Sequence, residues 1–173
     1  SFTKTGDQAV TIAGDFDHFG GYTITNIDTV DITAVTTAAT IDGTLWTGVG
    51  NIDLGVDNAN NAITLNSGAK VTLTADQTTG LDINFVSGGD LTIVAGDDNG
   101  ASSAVGTIDA PTLAPTAAAT ATGTVTLEAT VANWNSATAT TLGALQTLVV
   151  TGDEDVTLGT LTAAGIDASG SSG

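Results

Sequence analysis

The chain has 173 residues, a formal net charge of −17 and an apolar fraction of 41%. Its ionisable side chains are 17 Asp, two Glu, two Lys and one His, with no Arg and no Cys. This balance excludes electrostatic binding to nucleic acid or to an anionic membrane surface. The lack of Cys excludes disulfides and thiolate metal sites.

The composition predicts an all-β fold. Thr occurs 34 times, the candidate core is mostly Val, Ile, Leu and Ala, and long helix-forming side chains are scarce. Segments in which apolar and polar residues alternate are predicted strands. In chain order these are 8–13, 22–26, 29–33, 39–46, 51–55, 62–66, 70–75, 82–86, 90–95, 123–131, 147–151 and 155–161. Gly, Asn, Asp and Ser stand between them, as turns require.

The spacing of these strands favours one solenoid domain over residues 1–173. Ile63 and Leu65 are echoed eight residues later by Val71 and Leu73, across a glycine turn. A similar unit begins at Ile83, 20 residues after Ile63. A strand–turn–strand unit that recurs in this way is typical of a parallel β-solenoid of the β-helix or β-roll kind. Hairpins in a β-sandwich or jelly roll also give an eight-residue echo, so that fold is the alternative.

Three segments interrupt the pattern. Residues 110–122 contain both prolines and are expected to form an extended connector or an insertion. Residues 132–146 are expected to be a long loop with a short helix near Thr141–Gln146. The tail at 169–173 is rich in Ser and Gly, which predicts flexibility.

Short acidic segments beside Gly or Asn predict calcium sites. Ca²⁺ binds several oxygen ligands at once, and carboxylates on tight loops supply them. The predicted ligands are Asp15, Asp17, Asp57, Asp90, Asp97, Asp98, Asn99, Asp153 and Asp155. At each position the alternative is a solvated turn.

Other residues give weaker indications. Trp46 and Trp134 are expected in the core or at an interface, and a platform for stacking a sugar ring is the alternative. The threonines predicted to face outward suit an ordinary polar strand surface, and ice binding is the alternative. Enzymatic activity is not expected, because His18 is the only histidine and acid–base or nucleophilic catalysis relies on His, Cys, Lys or tuned carboxylates. A carboxylate pair acting on a glycosidic bond is the alternative within catalysis.

Residues 145–170, LQTLVVTGDEDVTLGTLTAAGIDASG, carry a family resemblance. This stretch resembles the repeats of bacterial S-layer and related RTX-like surface proteins, and residues 24–33 carry a weaker version. The resemblance implies a secreted or cell-surface protein that assembles with Ca²⁺. The Gly-Gly-x-Gly-x-Asp nonapeptide of that family is missing, and Ser87-Gly88-Gly89-Asp90 comes nearest to it. The regular β-roll calcium sites are therefore not carried over to this chain.

Together these observations predict an extracellular, self-assembling structural protein that is stabilised by Ca²⁺. It would form an S-layer, a filament or a biofilm matrix. Its partners would be further copies of itself, with cell-surface polysaccharide as a second partner. Residues 1–13 are expected to form a strand donated to a neighbouring subunit. The alternative function is an adhesin or carbohydrate-binding module of a larger surface protein.

Overall fold

A computed structural model describes residues 2–3, 9–12, 23–32, 41–55, 62–85, 89–96, 106–116 and 122–173. These residues form twenty β-strands and no helix, which confirms the all-β prediction. The strands are β1 (Phe2–Thr3), β2 (Ala9–Ile12), β3 (Ile24–Thr25), β4 (Thr29–Ile32), β5 (Ile41–Asp42), β6 (Trp46–Thr47), β7 (Asn51–Leu54), β8 (Ala62–Leu65), β9 (Ala69–Leu73), β10 (Leu81–Phe85), β11 (Leu91–Ala95), β12 (Thr107–Asp109), β13 (Thr112–Thr116), β14 (Thr122–Ala129), β15 (Asn133–Asn135), β16 (Ala139–Thr141), β17 (Leu145–Gly152), β18 (Val156–Thr157), β19 (Thr160–Thr162) and β20 (Gly165–Ser171).

The strands assemble into four parallel sheets. The long sheet has eight strands, in the order β2-β4-β7-β9-β11-β14-β17-β20. The second sheet has six, in the order β5-β8-β10-β13-β16-β19. The amino-terminal short sheet is β1-β3-β6, and the carboxy-terminal short sheet is β12-β15-β18. Successive strands along the chain belong to different sheets, so the chain winds as a parallel β-solenoid. The favoured fold is confirmed, and the sandwich alternative is wrong.

The eight-residue echo arises at a corner of the coil and not in a hairpin. Ile63 lies in the second sheet and Val71 lies in the long sheet, so their strands belong to two walls of one coil. The corner between them contains Gly68, which has a φ of +84°. The true register partner of Ile63 is Ile83 of the next coil, as the 20-residue recurrence predicts.

The core consists of apolar columns that run through successive coils. In the long sheet one column of register partners is Val30, Ile52, Val71, Ile93, Leu127 and Val150. All six are at most 4% exposed. Burying an aliphatic side chain of this size contributes about 1.5–3 kcal/mol. Stacked columns of this kind are therefore the main source of stability.

The parallel long sheet gives the solenoid two distinct sides. Its strands all begin on one side and end on the other, and we call these the amino side and the carboxyl side. Among the described residues the amino side comprises 24–28, 43–50, 66–68, 89–90, 142–144 and 163–164. The carboxyl side comprises 55, 74–80, 96, 106–111, 130–138 and 153–159.

The short sheets lie on opposite sides. Strands β3 and β6 precede long-sheet strands along the chain, so the amino-terminal short sheet lies on the amino side. Strands β12, β15 and β18 follow long-sheet strands, so the carboxy-terminal short sheet lies on the carboxyl side. The short sheet that accompanies the two larger sheets therefore lies on the amino side as far as β6 and on the carboxyl side from β12 onward.

Two interruptions predicted from sequence contain strands. Within the connector expected at 110–122, β13 lies between β10 and β16 of the second sheet, where Leu113 pairs with Leu81. Within 132–146 the structure has β15, β16 and the start of β17, so the predicted short helix is wrong. These strands are too short, or contain too few large apolar residues, for alternation to reveal them. Pairing with neighbouring coils defines them instead.

The two ends of the chain also pair within the solenoid. Strands β1 and β2 pair with β3 and β4, so residues 2–3 and 9–12 are not donated to a neighbour in this structure. In the predicted tail, the backbone as far as Ser171 belongs to β20 and pairs with β17. A register shift interrupts that pairing after Asp167. The Asp167 Oδ1 atom accepts the Ser169 N–H at 2.9 Å, and this backbone hydrogen bond lowers the pKa of the carboxyl.

Candidate functional site

The predicted calcium ligands fall into two groups. Asp90, Asp153 and Asp155 lie in the described part of the chain, and all three are exposed. The remaining predicted ligands lie outside the described residues: Asp15, Asp17, Asp57, Asp97, Asp98 and Asn99. Within the described ranges, no three His, Cys, Asp or Glu side chains come together in a group able to hold a metal ion.

Asp90 links three successive strands of the long sheet. Its Oδ1 atom accepts the backbone N–H of Thr124 on the following coil at 2.8 Å. Its own N–H donates to the Ser67 hydroxyl oxygen on the preceding coil at 3.2 Å. One carboxylate oxygen of Asp90 is thus engaged in holding the coils in register.

Hydrogen bonds of the same kind follow the carboxyl side from coil to coil. Asp76 Oδ1 accepts the Asp109 N–H at 2.8 Å, and Asp109 Oδ1 accepts the Asn135 side-chain amide at 2.6 Å. In a parallel series, Asn133 Oδ1 accepts the Asp155 N–H at 3.0 Å. The bonds from the Asp109 and Asp155 N–H groups satisfy backbone donors, whereas the bond from Asn135 joins two side chains. Sequence analysis missed this use of the carboxylates, because their partners are 22–33 residues away.

The acidic residues are distributed unevenly between the two sides. The described carboxyl side contains Asp76, Asp109, Asp153, Glu154 and Asp155. Connections that leave the carboxyl ends of other long-sheet strands contain Asp15, Asp17, Asp57, Asp97 and Asp98. The described amino side contains two acidic residues, Asp28 and Asp90. Of the three described ligands, Asp153 and Asp155 therefore lie on the carboxyl side and Asp90 lies on the amino side.

A pair of carboxylates lies on the outer face of the long sheet. Asp31 and Asp53 are register partners on adjacent coils, and Thr74 donates its hydroxyl to Asp53 Oδ1 at 3.1 Å. Partial burial raises the pKa of Asp53, and the charge of Asp31 adds to that rise, while the Thr74 hydrogen bond opposes it. Ionised Asp53 is therefore less stable in the folded chain than in water.

Lys70 is the one lysine in the described part of the chain. Its ammonium lies 3.2 Å from Glu128 Oε2, and both side chains are partly exposed. Lys70 belongs to β9 and Glu128 to β14, so the ion pair spans the intervening strand β11. Val94 lies on β11 between its register partners Thr72 and Glu128, and its side chain is on the outer face of the sheet. It is nevertheless only 8% exposed.

A cleft of about 600 Å³ opens on the amino side where the amino-terminal short sheet ends. Among the described residues, no strand follows β6 in that sheet. The Asn66 side-chain amide instead donates to the Thr44 carbonyl at 2.9 Å and to the Trp46 carbonyl at 3.5 Å. Lys70 stands at the cleft, together with apolar atoms of Trp46 and Val49.

Both tryptophans are buried. Trp46 is 5% exposed and Trp134 is 1% exposed. The Trp134 indole N–H donates to the Ser136 hydroxyl at 2.6 Å, whereas the Trp46 indole nitrogen is buried without a hydrogen-bond partner among the described residues. Neither ring is available as a stacking platform for a sugar, and both contribute to the core.

Comparisons with protein-family models, with curated protein sequences and with solved structures gave no match to this chain. The likeness to S-layer and RTX-like repeats therefore remains a resemblance of sequence. Across the described ranges, no helical segment has the length and hydropathy needed to cross a bilayer.

Proposed function

We propose that this chain is a secreted structural protein of a bacterial cell surface or extracellular matrix, which self-assembles and is stabilised by Ca²⁺. One observation carries the proposal: described polar side chains are used between coils, where they hold the solenoid together. Asp76, Asp90 and Asn133 each accept a backbone N–H from the following coil. Side chains used in this way suit a structural material, and the resemblance of residues 145–170 to S-layer repeats supports the same function.

Calcium enters the proposal through the charge of the carboxyl side. Successive coils of a parallel sheet are about 4.8 Å apart, so carboxylates on neighbouring coils repel one another. A hard cation that takes several oxygen ligands relieves that repulsion. The ligands proposed for it are the predicted acidic residues that follow long-sheet strands along the chain, such as Asp97, Asp98, Asp153 and Asp155. With this repulsion reduced, copies of the chain approach one another more closely, and cell-surface polysaccharide is the proposed second partner.

The proposal is tested by thermal melting and sedimentation velocity at low ionic strength, with Ca²⁺ and with EDTA. A site occupied at 100 times its Kd adds about 2.7 kcal/mol to the free energy of unfolding. For a chain of this length that corresponds to a rise in Tm of about 5–10 °C. Assembly should increase with protein concentration and with Ca²⁺. A Tm and a sedimentation coefficient that EDTA leaves unchanged would contradict the calcium part of the proposal.

Matched variants locate the ion. The double variant Asp153→Asn/Asp155→Asn should reduce the calcium-induced rise in Tm, because it removes two carboxylates from one connection. Asp82→Asn is the control, because Asp82 is an exposed carboxylate within β10 of the second sheet and belongs to none of the connections that contain predicted ligands. An equal response in both variants would point to general charge screening and not to a site.

The alternative function, a carbohydrate-binding module or adhesin, is supported by the cleft beside β6. Its volume of about 600 Å³ is in the range of ligand sites, and its lining combines apolar surface with Asn66 and Lys70. Glycan-array binding that is lost in Lys70→Ala would favour this alternative. Binding that persists in Lys70→Ala, or no binding at all, would count against it.

A further inference from the structure

The last coil of the described solenoid leaves the apolar core uncovered. It consists of β18, β19 and β20, each of which is an end strand of its sheet. Three of its residues lie in register on buried residues of the preceding coil: Val156 on Trp134, Leu161 on Thr140 and Ile166 on Leu148. The three partners are at most 1% exposed, whereas Val156 and Leu161 are partly exposed and Ile166 is 51% exposed. The core columns therefore end in uncovered apolar side chains.

Ile166 differs from the other large apolar residues that are exposed in the described part of the chain. Leu45 and Val131 lie in no strand, and Leu145 pairs with Thr122, which is itself exposed. Of these exposed residues, Ile166 is the one whose register partner is fully buried. A further coil placed on β20 would therefore bury Ile166 as its partner is buried.

Strand β20 also exposes a backbone edge. It has seven residues, Gly165–Ser171, and pairs with β17 on one edge and with no described strand on the other. An open edge displays N–H and C=O groups that can pair with another strand. A solenoid repeat that closes an end has a polar outer face. The end at β20 instead combines an open edge with apolar surface, which is what each coil of this molecule presents to the next.

The amino-terminal end of a second copy offers the matching edge. Strand β2 is the first strand of the long sheet and pairs with β4 on one edge only, among the described strands. Val10 is the register partner of Val30, which is fully buried, so by backbone register Val10 extends a core column to this end. A parallel pairing of β20 with β2 that sets Ile166 opposite Val10 sets Asp167 opposite the uncharged Thr11.

The charge of the chain distinguishes the two ways in which the carboxy-terminal coil can be covered by a second copy. The segment that contains β18, β19 and β20, residues 153–171, has no basic residue and four acidic ones: Asp153, Glu154, Asp155 and Asp167. The segment that contains β1 and β2, residues 1–12, has one of each sign, Lys4 and Asp7. Two carboxy-terminal coils that met would oppose four carboxylates to four, which disfavours association. Contact with residues 1–12 avoids that repulsion.

We infer that copies of this chain stack end to end, with the carboxy-terminal coil of one copy covered by the amino-terminal coil of the next. The inference rests on the proposed self-assembly and specifies its interface and its polarity. Ile166 is the apolar anchor of the contact, and pairing of β20 with β2 adds backbone hydrogen bonds. Because the two surfaces in contact differ and follow the solenoid axis, the contact repeats without closing, and the product is a filament with two unlike ends.

Single substitutions test the contact by sedimentation velocity across a concentration series in the presence of Ca²⁺. Ile166→Asp places a carboxylate on β20 at the contact, and Val10→Asp places one on the opposing strand. Each should weaken the association constant by about tenfold or more. Val131→Asp is the matched control, because Val131 is also 51% exposed but lies between β14 and β15, in no strand. It adds the same charge and should change the association constant by less than about twofold.

A mixture of the two contact variants tests the polarity. Ile166→Asp leaves the β2 end intact, and Val10→Asp leaves the β20 end intact. Equimolar mixing should therefore restore one contact and give a heterodimer that grows no further. If two carboxy-terminal ends met each other instead, Val10→Asp would assemble like the wild type and the mixture would give no heterodimer, and either result overturns the inference.

The remaining outcomes separate this inference from the proposed function. Association of Ile166→Asp that equals that of Val131→Asp overturns the end-to-end contact and leaves self-assembly standing. A wild-type chain that stays monomeric at every concentration, with and without Ca²⁺, overturns the proposed self-assembly as well. Circular dichroism establishes that each variant is folded, and the milder series Ile166→Ser, Val10→Ser and Val131→Ser replaces any variant that is not.

Discussion

Gly152 is the position at which a single added methyl group should cost the most stability. It lies in β17 with a φ of +113°, and a Cβ built there would overlap the carbonyl group of Ala129 on the neighbouring strand. An L-residue in this region of φ costs about 1–3 kcal/mol, and forcing an atom into packed surroundings costs about 1–3 kcal/mol more. Gly152→Ala should therefore lower the free energy of unfolding by about 4 kcal/mol, measured by urea denaturation.

Substitutions at two other glycines distinguish the cost of the backbone conformation from the cost of the close contact. Gly68 has a φ of +84°, but a Cβ there meets no atom within 4 Å, so Gly68→Ala should cost only the backbone term of about 1–3 kcal/mol. Gly165 also has open space and is not among the glycines with positive φ, so Gly165→Ala should be neutral or stabilise by up to about 1 kcal/mol. If Gly152→Ala costs no more than Gly68→Ala, the close approach of the two strands is refuted.

Three further substitutions test the electrostatics and the hydrogen bonds between coils. Because burial raises the pKa of Asp53, the folded chain binds a proton at this carboxylate more tightly than the unfolded chain does. Ionised Asp53 therefore lowers the free energy of unfolding at pH values above the folded pKa. Asp53→Asn should thus stabilise the protein at pH 7, and the gain should shrink as the pH falls towards 4; an equal gain at both pH values in thermal melts would contradict this. Lys70→Met should cost less than about 1 kcal/mol at low salt, because its ion pair with Glu128 is partly exposed, and a larger loss would show that packing dominates. Asp90→Ala should lower the free energy of unfolding by about 1 kcal/mol, because the Thr124 N–H on the next coil loses its acceptor. Amide exchange at Thr124 should become faster, and exchange slower than in the wild type would refute the prediction.

The strand pattern was predictable where alternation is long and apolar. Strands such as β4, β7 and β9 contain two large aliphatic residues each, two positions apart, and the predicted segments overlap them. Strand β13 escaped prediction because Leu113 is its one large apolar residue and Pro115 lies beside it. The parallel arrangement also lay beyond alternation, since a hairpin and a corner of a coil give the same eight-residue echo. The 20-residue recurrence of Ile63 and Ile83 was the informative signal.

The candidate sites were less accessible to sequence reasoning. The acidic run at 153–155 was visible in the sequence, but its location on the same side as Asp76 and Asp109 depends on which strand each one follows and on the parallel direction of those strands. The partnership of Asp76 with Asp109 joins residues 33 positions apart, and nothing local indicates it.

The length of chain per coil varies greatly while the columns stay aligned. Ile93 and its partner Leu127 are 34 residues apart, whereas Leu148 and its partner Ile166 are 18 apart. The described part of the chain between β11 and β14 forms β12 and β13, which belong to other sheets, and β11 and β14 remain directly paired. A foreign peptide inserted into the connection after β11 should accordingly be presented to solvent by an intact scaffold, and peptides inserted after several long-sheet strands would stand in a row with the spacing of the coils.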